Sequence, residues 1–286
     1  GVYLGTSYSY PLSERTALGL ESRLGTRGDW RGSAALRHGF TLPGTALDGQ
    51  LALVWSHHEI VPNLGRTFAP DEVDEETLRE LSLSRQPALQ LKLDPIPLSG
   101  SLRGFTARLG AGVGRIREHP TGVTRNRGQV WGMLQTPVRR LGTLRLHGKV
   151  GVQQAVYDGD THRIGIAQLT LETPIDAETY CSLSLIHRDE QGDSPFLFER
   201  SLMPNELFVA VETPVSGDRR WFLGASNRFD LDRGTSRSTS VSAIYKQDCL
   251  AYELSYDTAD RTVNFGVLLN AFGNFRKRPK GVEFVQ

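Results

Sequence analysis

The chain has 286 residues, and its 33 Lys and Arg nearly cancel its 32 Asp and Glu, leaving a formal charge of +1. That balance gives no bulk field for nucleic acid. No run approaches the 18 or so apolar residues of a membrane-crossing helix, and Leu51-Ala52-Leu53-Val54-Trp55 is among the longest.

Alternation in steps of two predicts strands over 1–11, 16–27, 29–42, 49–60, 80–94, 101–117, 122–137, 141–156, 161–173, 178–189, 204–214, 219–231, 237–247, 250–258 and 262–275. Trp30, Gly32, Ala34, Leu36 and Phe40 oppose Arg31, Ser33, Arg37 and Thr41. Phe105, Ala107, Leu109, Ala111 and Val113 oppose Thr106, Arg108, Gly110 and Gly112. Leu144, Leu146, Val150 and Val152 oppose Arg145, His147, Lys149, Gly151 and Gln153. Two strands read weakly: 80–94 carries Pro87, and 161–173 slips phase after Ile166, which a bulge would explain. Turn chemistry such as Arg27-Gly28-Asp29 and Tyr157-Asp158-Gly159-Asp160 bounds the segments. Longer connections run from Val61 to Arg79, with acids at Asp71, Glu72, Asp74, Glu75 and Glu76, and from Asp189 to Asn205, with Phe196, Leu197 and Phe198 inside it.

The last hairpin is the most informative. Tyr252, Leu254 and Tyr256 oppose Ala251, Glu253 and Ser255, and Val263, Phe265, Val267 and Leu269 oppose Asn264, Gly266, Leu268 and Asn270. Alternation of this length, closed by a polar turn and rimmed with aromatics, is the pattern of a transmembrane β-hairpin. The fold expected is an all-β, antiparallel transmembrane β-barrel, or a large C-terminal part of one. It would use roughly 14 to 16 strands across residues 1–275 and leave a basic tail at 276–286. Gly1 stands in mid-strand without a Met, which reads as a processed or truncated piece. Arg108, Arg145 and Lys149 on the polar faces would give the lumen local positive charge.

The C-terminal 40 residues resemble the end of the lipopolysaccharide-assembly outer-membrane protein family, LptD (organic-solvent-tolerance protein). Tyr245, Cys249, Tyr252, Tyr256, Asn264, Phe265, Leu269 and Gly273 stand where those proteins carry a Cys-bearing turn, spaced Tyr and a last strand of Asn-Phe-x-x-x-Leu type. The chain departs from the family in having one Cys at that turn rather than two, and in being far shorter than the family barrel. The resemblance implies a translocon in the bacterial outer membrane. Such a protein receives glycolipid from a periplasmic transport bridge, works with a plug lipoprotein, and passes lipopolysaccharide to the outer leaflet through a lateral gate between the first and last strands. In this chain the strand from Thr262, with Asn264, Gly266 and Asn270 facing the lumen, would form one lip. Asn264, Gly266, Leu269 and Ala271 also resemble the recognition strand of substrates of the barrel-assembly machinery.

Cys249 is expected to bond with a cysteine outside this chain, the alternatives being a free thiol or a bond to Cys181. No enzyme activity, cofactor or nucleic-acid partner is expected. His57 and Glu59 share a strand face but do not fill a metal shell. Ser226 has Gly224 where an outer-membrane phospholipase carries its general base. The alternative function is a porin-like passive channel with an Arg-lined lumen. It should show closed first-to-last strand pairing and a constriction loop, whereas a translocon fragment should leave the first strand unpaired.

Overall fold

The computed structural model describes residues 3–25, 30–45, 47–60, 81–119, 121–174, 179–199, 203–215, 217–218, 220–247, 250–258 and 262–269. They form one antiparallel sheet of seventeen strands with almost no helix. In chain order these are β1 (Tyr3–Pro11), β2 (Thr16–Gly25), β3 (Trp30–Thr41), β4 (Asp48–Ile60), β5 (Ser82–Leu93), β6 (Ile96–Pro97), β7 (Thr106–His119), β8 (Thr124–Gln135), β9 (Arg139–Leu141), β10 (Leu144–Tyr157), β11 (Asp160–Pro174), β12 (Tyr180–Gly192), β13 (Asn205–Pro214), β14 (Trp221–Asp230), β15 (Thr235–Gln247), β16 (Leu250–Asp257) and β17 (Thr262–Leu269). The two short strands β6 and β9 decorate turns, and the long strands correspond one for one with those read from the alternation.

Each long strand pairs with the next long strand in the chain, so the sheet is an up-and-down meander. Among the described residues β1 pairs only with β2 and β17 only with β16, and the barrel-like sheet is not closed. Strand ends alternate between two rims. The near rim holds the turn between β1 and β2, and the far rim holds the ends of β4, β7, β10, β12 and β14.

The faces are inverted relative to a water-soluble domain. Leu51, Leu53, Leu109, Val113, Val130, Val150, Val152, Leu169, Leu183, Leu185 and Leu223 point outward and are exposed. Gln129, Gln153, Gln168, Thr170, Ser182, Ser184, Arg188, Glu206, Arg228 and Ser238 lie buried on the inner face. Inner-face glycines make room for large neighbours. A Cβ on Gly110 would stand within 2.6 Å of the Trp131 ring.

Three irregularities interrupt the ladder: between Ser56 and Glu59 of β4, between Arg85 and Ala88 of β5 (met from β4 as the shift between Val54 and Ser56), and between Arg228 and Phe229 of β14. The second falls at Pro87, whose missing N–H cannot serve the ladder. The phase slip in 161–173 is not a bulge, because β11 keeps unbroken register with β10 and β12 from His162 to Glu172. There the inner face carries Ile164 and Ile166 instead of polar residues. The β4 break also separates His57 from Glu59, which therefore do not share a face. His57 stacks outside on Trp30 and Trp55, while Glu59 pairs with the buried Arg85 within.

Candidate functional site: the in-folded far-rim segment and the strand edges

The segment joining β12 to β13 folds back inside the far rim. Gly192, at φ 80°, starts the turn, and a side chain there would collide with the Thr161 carbonyl. After it, Phe196 and Phe198 are buried in a cluster with Leu81, Leu83, Ile116, Ala155 and Tyr157, the inward residues of β5, β7 and β10 and of the residue preceding β5. Met203 is fully buried as well. Each such side chain removed from water is worth about 1.5–3 kcal/mol. Tyr157 meets the Phe196 ring edge-on at 5.6 Å, and Phe198 lies 5.2 Å from Phe196.

Buried polar groups tie this plug to the wall. Glu118 of β7 accepts the Phe198 backbone N–H at 3.0 Å and the Thr121 hydroxyl at 2.8 Å. Ser194 donates to Glu199 at 2.6 Å. The Arg127 guanidinium of β8 lies 2.5 Å from Glu199 as an ion pair, without hydrogen-bond alignment, and 5.7 Å from the Phe198 ring centre. Burial raises the Glu199 carboxyl pKa, with nearby Glu118 adding to the rise and Arg127 opposing it. A second network stands beside the first. Glu206 bridges Arg188 at 2.7 Å and Arg228 at 2.8 Å, and Arg188 also donates to the Met203 carbonyl at 3.0 Å. Asp230 accepts two bonds from Arg237. Arg127, Arg188, Arg228 and Arg237 at the far rim are thus each matched to a carboxylate.

The expected lumen residues lie toward the other rim. Lys149 shares the inner face of β10 with Gln153, in register with Gln135 of β8 and Gln168 of β11. Arg145 stands opposite Arg140 and Glu172, and Arg108 opposite Met133. In β17, Asn264 is in register with Ser255, and Gly266 with Glu253. Asn270 and Cys249 lie outside the described residues. Cys181 is a free thiol on β12. Among the described residues no group of three metal-ligating side chains converges.

The two strand edges contrast with the plug. On β1, Tyr8 and Tyr10 point outward, exposed and stacked with ring centres 6.4 Å apart. On β17, Val263 and Phe265 are 67% and 69% exposed, the highest values among the large apolar side chains described. No family model matches this chain, and no curated protein matches it significantly.

Sequence reasoning missed Glu118, Arg127, Arg188, Glu199, Glu206 and Asp230. The signal was available for four of them. Charged residues at inward positions near strand ends, as in Arg127, Arg188, Glu206 and Asp230, require partners once one face is known to be enclosed.

Proposed function

We propose that the chain is an outer-membrane barrel that inserts lipopolysaccharide or a related glycolipid into the outer leaflet through a lateral gate between β1 and β17. One observation carries this reading: an apolar exterior around a polar interior, in a wall whose outermost described strands, β1 and β17, each pair on one side only among the described residues. An apolar outer band fits acyl chains, and a polar interior fits a hydrated headgroup. An unpaired strand edge is costly in hydrocarbon, so such a seam rests shut and opens only transiently. A molecule with sugars at one end and acyl chains at the other can cross only if the wall parts along its length. Its headgroup then travels inside while its chains stay in lipid. The resemblance of the last 40 residues to the LptD family supports the same reading, together with its plug lipoprotein and periplasmic bridge as partners.

The test is a crosslink across the seam. Cysteines replacing Tyr8 and Phe265, with neighbouring registers scanned, are introduced into the full-length protein in cells and oxidised. Export of surface glycolipid should stop while the barrel stays folded, and reduction should restore it. Unchanged surface glycolipid with the crosslink complete would end the translocon reading. Failure to crosslink at every register would place other strands between β1 and β17 and remove the seam.

The in-folded segment 193–199 favours a second reading, the passive pore, because a loop inside the mouth is the form of a constriction. Steady conductance of the unmodified protein in a planar bilayer would support it. The sealed cluster of Phe196 and Phe198 and the pairing of far-rim arginines with carboxylates weigh toward a closed mouth.

A further inference from the structure

On the outer wall at the far rim, β3, β4, β5 and β7 bring together a patch that neither gate nor plug uses. Trp30 and Trp55 lie 6.1 Å apart, His57 stacks on Trp30 at 5.2 Å, His58 meets His57 at 4.4 Å, and His119 stacks on His58 at 4.1 Å. The chain goes to some cost to build it. His58 is the one non-glycine residue described with positive φ, at 50°, and it occupies the register break of β4. A side chain in that conformation is strained unless its surroundings hold it there, and such residues cluster at functional sites. Here the holding is explicit. The His58 N–H donates to Ser84 at 3.2 Å, its ring Nδ1 lies 3.0 Å from the Ser82 hydroxyl, and Ser84 in turn lies 3.1 Å from His119 Nε2. The twist brings His58 onto the outer face beside His57, where regular alternation would have sent it inward.

At the described outward positions of these strands the charge has one sign. Arg117 stands opposite Ser84 in register, Arg115 precedes it on the same face, and both are exposed. Among the described residues, the outward positions of β3, β4, β5 and β7 hold no Asp or Glu; Glu59, the nearest acid on β4, turns inward to Arg85. Arginines at the edge of an apolar wall reach toward the headgroup layer, and Trp rings settle at that same depth. Guanidinium forks and imidazole N–H groups are donors suited to phosphate oxygens.

We infer that this patch is a binding site for the phosphate-bearing headgroup of a lipid in the leaflet at the far rim. The inference rests on the membrane reading above but not on the gate. Arg115 and Arg117 hold the phosphate, the imidazoles of His57 and His58 donate to it, and Trp30 and Trp55 flank it at the interface.

The two tryptophans report on the site. In a variant carrying Trp131→Phe, the purified full chain is placed in mixed micelles with brominated phosphatidic acid or brominated phosphatidylcholine at equal mole fraction. Trp221, on the outer face of β14, serves as the internal control and is removed by Trp221→Phe in a parallel sample. Quenching of Trp30 and Trp55 should favour the phosphatidic acid, and Arg115→Gln with Arg117→Gln should reduce that preference about fivefold per arginine, the scale for a basic side chain at an anionic surface. Arg117→Lys should retain part of the preference, and an unchanged heat-modifiable gel shift shows that each variant is folded. Equal quenching by both lipids would overturn the headgroup site while leaving the membrane reading intact. Quenching of neither the pair nor Trp221 would remove the membrane reading itself. Full displacement of the phosphatidic acid by millimolar inorganic phosphate would make the site one for free phosphate and overturn the lipid assignment.

Discussion

The far mouth and the strand edges of this one sheet are stabilised in opposite ways. At the mouth, aromatic side chains and four carboxylates are fully enclosed and each has a partner: Glu118 on a backbone amide, Glu199 on Arg127 and Ser194, Glu206 on two arginines, Asp230 on Arg237. At the edges, Tyr8, Tyr10, Val263 and Phe265 stand exposed, and among the described residues each edge strand has a ladder on one side only. The difference shows where the molecule can yield. Opening the mouth would strand buried charges, whereas parting the edges breaks no pairing described here.

The sharpest way to break that comparison is at the mouth. Glu206→Ala leaves the Arg188 and Arg228 guanidiniums buried without their shared carboxylate, and loss of one member of such a group costs about 3–5 kcal/mol. Chemical unfolding of the refolded chain in detergent, followed by gel mobility, should show a loss of that size. A change below about 1 kcal/mol would mean that water reaches the network and the mouth is not sealed.

Next in size is a charge on the outer wall. Val150→Arg or Val152→Arg, if the wall faces hydrocarbon, should cost roughly 2–4 kcal/mol at mid-depth. Recovery of the folded chain as a detergent-free monomer, with either variant neutral, would return the exterior to water.

A smaller effect is expected from acidity. Burial raises the Glu199 carboxyl pKa, so the fold favours its protonated form. The contribution to plug stability is then fully present below the ordinary carboxylate range and is lost as pH rises through the raised value. Protection of the 193–199 backbone amides from hydrogen exchange should fall over that interval, after correction for the intrinsic rate. Glu199→Gln should flatten the dependence. A profile unaffected by the substitution would assign the effect to another group.

The smallest change belongs to the near-rim lumen. Lys149→Gln, on a face with polar neighbours, should stay within about 0.5 kcal/mol. A larger loss would mean that the near-rim interior is as tightly paired as the far mouth.

The wall was legible because strand periodicity is local. Leu144 to Val152 states its two faces in nine residues, and Pro87 marks a ladder break without help from elsewhere. The plug was not legible for the opposite reason. Phe196 and Phe198 stand in a stretch that reads as a long loop, and nothing nearby in the chain tells that Leu81 and Ile116 close over them. The slip at Ile166 misled for another reason, since an inward isoleucine breaks the polar alternation while the backbone register stays regular. Glu59 was misplaced because alternation assumes regular backbone, and the positive φ of His58 that breaks it is held by serines that follow His58 by 24 and 26 positions.

The plug also fixes an order of events during biogenesis. The Phe198 amide finds its acceptor 80 positions earlier in the chain, and Ser194 reaches Tyr157 across 37. Such distant pairings close slowly, because the entropy of joining remote segments is spent before any contact repays it. The 193–199 segment therefore cannot seat until β5, β7, β8, β10, β11 and β12 are already side by side, so it is among the last parts to become protected. A pulse of protease during refolding should cut there first, in a species whose strands already resist digestion.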